Sequence, residues 1–299
     1  MIPRKLAKPR FYILTWGPVK VFKSQADIDE GLNSIPDVVK KYPQLRKTKQ
    51  NSYSAGSTVG LVEYDTPNGA RYMIVDLGLS ADWPKMQENM DKIGCKVENI
   101  THILQSHWDE DHFENITRFP NVLCIFGGNG PHYHPVPGHI LVTGTHIYVQ
   151  MQDIYPDGYI EDPNIRYYYA YRAHSRDEMY FIIDSENEGK VAFLGDLAHF
   201  PVFEHPNVND HLYLDRTYTL NIFRKYSNLK EIHKNHPDLK KLYAGHAAAP
   251  MTYKDLEDYI AMLESKEYLD YQREYLNEMK KSLSEYEQIL NTNYAKLKK

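Results

Sequence analysis

The sequence predicts an α+β protein, on three observations. Apolar runs of strand length alternate with turns and helical stretches over residues 51–250. Three of those runs, THIL, VAFL and LYA, are followed at once by acidic or imidazole side chains. A final stretch from Met251 to Lys299 contains neither Gly nor Pro and is dense in charge, as a helix would be. Polar side chains at successive strand ends meet on one rim of a sheet, which is where sites form in such proteins.

Each element has its own signal. FYILTW near the N-terminus is a short apolar run and reads as an early strand. STVGLVEY and RYMIVDLG flank Pro67-Asn68-Gly69, a hairpin turn. In SADWPKMQENMDKIGC, Ser80 or Asp82 can cap, Pro84 sits early, Met86, Met90 and Ile93 share a face, and Gly94 stops the helix. That helix feeds the strand THIL. A Tyr- and Pro-rich region follows from Gly127 to Arg172, then a strand over Val191–Leu194 ending at Asp196, a polar helical region from about Asp210 to His233, and a strand over Leu242–Ala244 ending at His246. Thr252 and Asp255 form a capping box for the C-terminal helices. There, Leu269, Leu276, Leu283, Leu290 and Leu297 recur every seven residues, with Met279 and Tyr286 between them but polar Gln272 and Asn293 at the other seam positions. Pairing of two chains through this helix and packing of the helix on its own body are both consistent with the pattern. The expected division is a domain over 1–250 and a helical extension over 251–299.

Composition narrows the function classes. With 299 residues, 42% of them hydrophobic, the chain can bury a full core. Lys and Arg number 35 against 40 Asp and Glu, and the net charge of -5 supplies no general attraction for nucleic acid or anionic lipid. Only Cys95 and Cys124 are present, too few for a disulfide framework. No stretch approaches the roughly 20 apolar residues of a membrane helix, and the basic N-terminus lacks a cleavage signal. A cytoplasmic protein with reduced thiols, and no membrane partner, is expected.

The octapeptide SHWDEDHF, Ser106–Phe113, crowds two histidines and three carboxylates together at the end of an apolar strand. Packed carboxylates repel one another and burial raises their cost, unless a cation offsets both. A divalent metal ion does so. His107, Asp109 and Asp111 alternate along an extended segment while Asp111 and His112 point apart, so one loop can serve two ions. Further ligands must come from elsewhere, and His174, Asp196 and His246 are available, with Asp196 the natural bridge between ions.

With these residues in order, the chain resembles the metallo-β-lactamase superfamily of binuclear metal hydrolases. Asp76 in MIVDLG, SHWDEDH, His174, Asp196 in LGD and His246 in AGH match the family's five motifs in sequence and strand context over about 51–250. The one departure is Asp109, which stands where the family usually carries a histidine. The resemblance implies a four-layer αββα sandwich with two metal ions at one edge. It assigns His107, Asp109 and His174 to the first ion, Asp111, His112 and His246 to the second, and Asp196 between them. Asp76 becomes the residue that orients the loop. Asp111 is the expected catalytic residue, orienting a hydroxide held by the ions. Zinc is the first expectation, and the extra oxygen donor at Asp109 admits manganese or iron.

The implied activity is hydrolysis of a small ester, thioester or lactone. Cleavage of a phosphodiester such as RNA, favoured if Arg166, Arg172 and Arg176 form a basic groove, is the alternative, so nucleic acid stays open as a partner. A non-catalytic metal-binding protein is the third reading. His132, His134, His139 and His146 compete with His174 for the third motif. Trp108 and Tyr167, Tyr168, Tyr169 and Tyr171 are expected to pack, and His199, His205, His211, His233 and His236 to be surface or structural.

Overall fold

Apolar residues occupy both sides of the central strands, so each sheet needs cover on two faces. On Gly69–Val75, Tyr72 and Ile74 enter one cluster while Met73 and Val75 enter another. On Gly189–Gly195, Ala192 and Leu194 separate from Val191 and Phe193 in the same way. This is the two-residue alternation of a pleated strand.

The computed structural model describes residues 8–21, 52–54, 56–67, 69–122, 124–127, 147–150, 157–176 and 178–297. The hairpin residue Asn68, the competing histidines His132, His134, His139 and His146, and the side chains of Cys124, Leu290, Asn293 and Leu297 lie outside what is described. One sheet orders β1 (Arg10–Thr15), β4 (Val59–Thr66), β5 (Gly69–Val75), β6 (Ile100–Leu104), β7 (Cys124–Gly127) and β8 (Ile147–Gln150); β2 (Val19–Val21) and β3 (Ser52–Ser54) pair separately. The other orders β13 (Lys241–Ala244), β12 (Gly189–Gly195), β11 (Met179–Ser185), β10 (Asp162–Tyr169) and β9 (Asp157–Ile160). Pairing is parallel from β5 through β8 and between β12 and β13, and antiparallel elsewhere.

Between the sheets lie Phe11, Val62, Met73 and Leu104 from the first and Ile165, Phe181, Phe193 and Tyr243 from the second. Outside the first sheet, Leu61, Ile74 and Ile103 are covered by Met86 and Met90 of α1 (Trp83–Ile93). Outside the second, Ile182, Leu194 and Leu242 are covered by Leu229 and Ile232 of α3 (Ile222–Asn235) and Leu256 and Leu263 of α4 (Tyr253–Leu263), with α2 (Val208–Tyr218) alongside. Each such Val, Leu, Ile or Phe contributes about 1.5–3 kcal/mol by leaving water. The result is the four-layer αββα sandwich.

Local signals hold where they were strong. Pro84 begins α1, and Gly94 ends it at φ 79°, a conformation glycine adopts without strain. Thr252 and Asp255 close their capping box. The polar helical region differs from expectation, because it is two helices separated by an extended break at Thr219–Asn221. There Leu220 N–H donates to His174 O (2.8 Å) and Asn221 N–H to Ala173 O (2.9 Å), so the backbone leaves the helix to anchor the His174 loop. Asn221 then caps α3 through its side chain. The final helix α5 (Lys266–Leu297) buries Tyr268 and Tyr271 in the outer core, and from Leu276 to Tyr286 its Leu, Met and Tyr side chains are exposed. No helix among the described residues is long and apolar enough to cross a membrane.

The strands β5, β6, β12 and β13 end at one edge, followed by Asp76, the octapeptide, Asp196 and His246. Two backbone bonds stitch the sheets together there: Met179 N–H to Ser106 O and Thr58 N–H to Gly245 O, each 2.7 Å.

Candidate metal centre

Asp76 organises the octapeptide. It sits at φ 55°, a left-handed position that Asp tolerates better than most residues, and is fully buried. Its Oδ1 accepts from Ser106 N–H (2.7 Å) and Gln105 Nε2 (3.2 Å), and its Oδ2 from Ser106 Oγ (2.6 Å) and His112 Nδ1 (2.7 Å). The Gln105 amide also donates to His107 O (2.6 Å) and His112 O (3.1 Å), curling the loop around itself.

These bonds set the imidazole tautomers. A carboxylate only accepts, so His112 carries its proton on Nδ1. Ser106 gives its hydroxyl proton to Asp76 and therefore accepts from His107 Nδ1 (3.0 Å). His246 Nδ1 faces the carbonyls of Gly56 (3.0 Å) and Gly17 (3.3 Å), which also only accept. In all three rings Nε2 is left facing the same space, the arrangement that a metal-binding histidine requires once Nε2 has given up any proton.

Around that space, His107, Asp109 and His174 form one group of donors within 4.8 Å of one another, and Asp111, His112 and His246 form a second. Asp109 Oδ2 lies 3.3 Å from His174 Nε2 and 3.6 Å from His107 Nε2. Asp111 Oδ2 lies 3.4 Å from His246 Nε2. Asp196 stands between, with Oδ1 3.4 Å from His112 Nε2 and Oδ2 3.3 Å from His246 Nε2 and 3.5 Å from His174 Nε2. All seven residues selected from the sequence thus converge. The Asp109 side chain is 56% exposed and Asp111 24%, so the cluster opens to solvent on the octapeptide side.

Two glycines make room for this packing. Gly195 turns at φ 52°, and a Cβ there would meet Ser106. A Cβ on Gly245 would fall on Asp196 Oδ1 and within 3.0 Å of the Gly195 carbonyl.

The donor set fits divalent cations. His107 Nε2, His112 Nε2 and Asp196 Oδ1 are buried with no hydrogen-bond partner, which costs about 1–3 kcal/mol for each neutral group unless something binds there. Protons are the alternative. Burial would push the Asp196 carboxyl up, yet His246, His112 and His174 hold it well below the usual carboxylate range. Burial and His112 would lower His107, but Glu178 and Asp109 outweigh them and push it up to about 9. Burial would likewise lower His112, and Asp111, Asp196 and Asp76 carry it well above its ordinary value. Protonated imidazoles are thus the internal counter-charge that bound cations would replace.

The neighbouring residues divide. Trp108 packs against Phe113 with ring centroids 6.0 Å apart, Tyr167 is buried between the sheets, and Tyr168 stacks on Tyr180 at 4.9 Å, as expected of packing residues. Arg166 pairs with Asp157 (3.7 Å) and lies over Tyr159 and Tyr168. His199, expected to be surface or structural, is 3% exposed with Nδ1 3.2 Å from Asp196 Oδ2, and so lies beside His174 and Asp196 at the donor cluster. The available signal was its position three residues beyond Asp196 in GDLAHF, on the same strand-end turn. Buried Glu178, whose charge acts on His107, was also passed over.

Residues 55–123 match the model of the metallo-beta-lactamase superfamily, a span that includes Asp76 and the octapeptide. Among solved structures, a Thermotoga maritima protein assigned as a metallo-beta-lactamase is similar at TM-score 0.53 and 16% identity, over 82% of this chain and 99% of that one. A quorum-quenching N-acyl homoserine lactone lactonase is similar at TM-score 0.51 and 16% identity, over 83% and 95%. An N-acyl homoserine lactone hydrolase, solved with N-hexanoyl-L-homoserine at its catalytic metal centre, is similar at TM-score 0.51 and 15% identity, over 82% and 95%. At these identities the likeness is one of fold. No curated protein matches the sequence.

Proposed function

We propose that the chain belongs to the metallo-β-lactamase superfamily, whose model its residues 55–123 match, and that it is a binuclear metal-dependent hydrolase of small esters, thioesters or lactones. The observation carrying this reading is the convergence of seven donor residues on one space, into which the buried Nε2 atoms of His107 and His112 face without a hydrogen-bond partner. His107, Asp109 and His174 would hold one ion and Asp111, His112 and His246 the other, with Asp196 between them. When bound, the ions supply Lewis acidity and lower the pKa of water, so that a nucleophile exists at neutral pH. The chain's own residues do the rest. Asp76 holds the His112 Nδ1 proton directly and the His107 Nδ1 proton through Ser106 Oγ, leaving the Nε2 atoms of His107 and His112 as ligands. Asp111, on the open side, accepts a proton from the attacking water and orients it. Zinc is the first candidate, and the Asp109 oxygen admits manganese or iron. Lactone cleavage is favoured within the substrate class by the lactonase and lactone hydrolase folds that the chain resembles.

A phosphodiester substrate is the second reading. Tyr171, three residues before His174 and 41% exposed, has the guanidinium of Arg224 5.0 Å and that of Arg172 5.4 Å from its ring centroid, which places two cations near the His174 loop.

Protein reconstituted with zinc, manganese or iron and assayed on a lactone, a thioester and bis-nitrophenyl phosphate separates these readings. Lactone turnover lost in Asp111→Asn supports the first. Phosphodiester turnover alone, lost in Arg172→Ala, supports the second. Metal uptake without turnover of any substrate would leave a metal-binding protein and overturn both.

A further inference from the structure

Asp196 stands between the two donor groups, with Oδ1 toward His112 and Oδ2 toward His174 and His246, and rotation about its Cβ–Cγ bond would carry both oxygens away from these positions. On the Oδ1 side Gly245 permits the close approach of backbone that confines Asp196. On the Oδ2 side stands His199. Its Nδ1 is 3.2 Å from Asp196 Oδ2, and because a carboxylate only accepts, Nδ1 carries the proton in this contact. Its ring meets His174 edge-on, centroids 4.8 Å apart, and its carbonyl accepts His246 N–H at 2.7 Å. One residue therefore touches the shared carboxylate, the His174 ligand and the backbone of the His246 ligand.

The far edge of the His199 ring faces a buried charge. Nε2 lies 3.4 Å from Thr219 Oγ1 and 3.5 Å from Asp215 Oδ1. Asp215, on α2, is fully buried and accepts from Lys225 Nζ of α3 (2.6 Å), Thr219 Oγ1 (2.7 Å) and Tyr268 Oη of α5 (2.8 Å). Lys225 is also fully buried, 5.6 Å from the Tyr259 ring centroid on α4. A buried ion pair is weak evidence of stabilisation, since apolar residues of the same volume often serve the fold as well or better. Its position behind His199 gives it a use.

We propose that His199 is a positioning residue that locks the Asp196 carboxylate between the two donor groups, and that the C-terminal helix α5 takes part in the metal centre through Tyr268 and Asp215. The chain runs Asp196, His199, Asp215, Tyr268, with Lys225 neutralising Asp215. This rests on the ligand assignment above but on no choice of substrate.

Cobalt(II) serves as the probe, because its visible absorption reports ligand geometry without turnover. Cobalt affinity is measured by chelator competition on wild type and on His199→Phe, His199→Asn and Tyr268→Phe, with urea melting of the metal-free proteins alongside. Asn carries an amide donor where histidine carries Nδ1, so it can still hold Asp196. The expected result is a fall in affinity of about 10–100-fold and an altered cobalt spectrum for His199→Phe, as is usual for residues behind metal ligands. His199→Asn is expected to recover most of both, and Tyr268→Phe to shift both in the same direction by a smaller factor. Wild-type affinity and spectrum in His199→Phe would overturn the positioning role, and a Tyr268→Phe change confined to melting would overturn the role of α5. Wild-type protein that takes up no cobalt would overturn the ligand assignment itself, a failure distinct from that of the His199 variants.

Discussion

His112 Nδ1 donates to Asp76 Oδ2 at 2.7 Å, with both side chains fully buried. The same carboxylate holds Ser106 and, through its hydroxyl, His107. Replacing Asp76 with Ala removes the acceptor that keeps these protons away from the metal-facing edge. Metal affinity is expected to fall about 10–100-fold. Equilibrium dialysis against zinc measures it, and wild-type affinity in Asp76→Ala would show that the loop needs no such anchor.

Gly245→Ala tests the close packing of Asp196. Gly245 is not among the residues with positive φ, so alanine suits its backbone and the effect is steric alone. The new Cβ meets Asp196 Oδ1 and the Gly195 carbonyl. A stability loss of about 1–3 kcal/mol, together with less than the full complement of metal, is expected from urea unfolding and elemental analysis. Unchanged metal content would mean that the Asp196 carboxylate can move without consequence.

Asp109→His exchanges an oxygen donor for a nitrogen donor in the group with His107 and His174. Imidazole favours zinc over manganese, and the affinity ratio is expected to rise by about tenfold or more, or ~1.4 kcal/mol. Competition dialysis with both metals reads the ratio. An unchanged ratio would place Asp109 outside the coordination sphere.

His211 is expected to make the metal-free protein acid-sensitive. It is buried beside Phe200, its Nε2 donates to His205 O at 2.7 Å, and burial lowers its pKa to about 4. Between an unfolded value of about 6.5 and the folded value, the unfolded chain holds a proton that the native chain lacks. Stability is therefore complete above about pH 6.5 and declines as pH falls toward 4, by about 2–3 kcal/mol. His211→Gln keeps the donor without titrating, so its unfolding free energy should be flatter over this window. Identical pH dependence in the two proteins would remove His211 as the cause.

Most of the candidate ligands were legible in the sequence because Asp76, the octapeptide, Asp196 and His246 come just after strands. A strand end at a sheet rim leaves little freedom, so Asp76, His107, Asp196 and His246 could be placed once their strands were recognised. The helix breaks were less legible. Thr219–Asn221 interrupts a stretch with no Gly or Pro, and the interruption is caused by backbone bonds to Ala173 and His174, more than 40 residues away in the chain. The leucine repeat likewise specifies an apolar stripe on α5 without naming its neighbour. The fold packs Tyr268 and Tyr271, and leaves Leu276 and Leu283 exposed.

The sequence by itself determined which side chains could gather around cations and in what order the strands would deliver them, since these follow from short-range pattern. Only the tertiary structure decided that His199 sits against Asp196 and that Asp215, Lys225 and Tyr268 stand behind it. Burial of a polar group is set by what the rest of the chain packs over it, and its partners are whichever donors and acceptors that packing brings within reach.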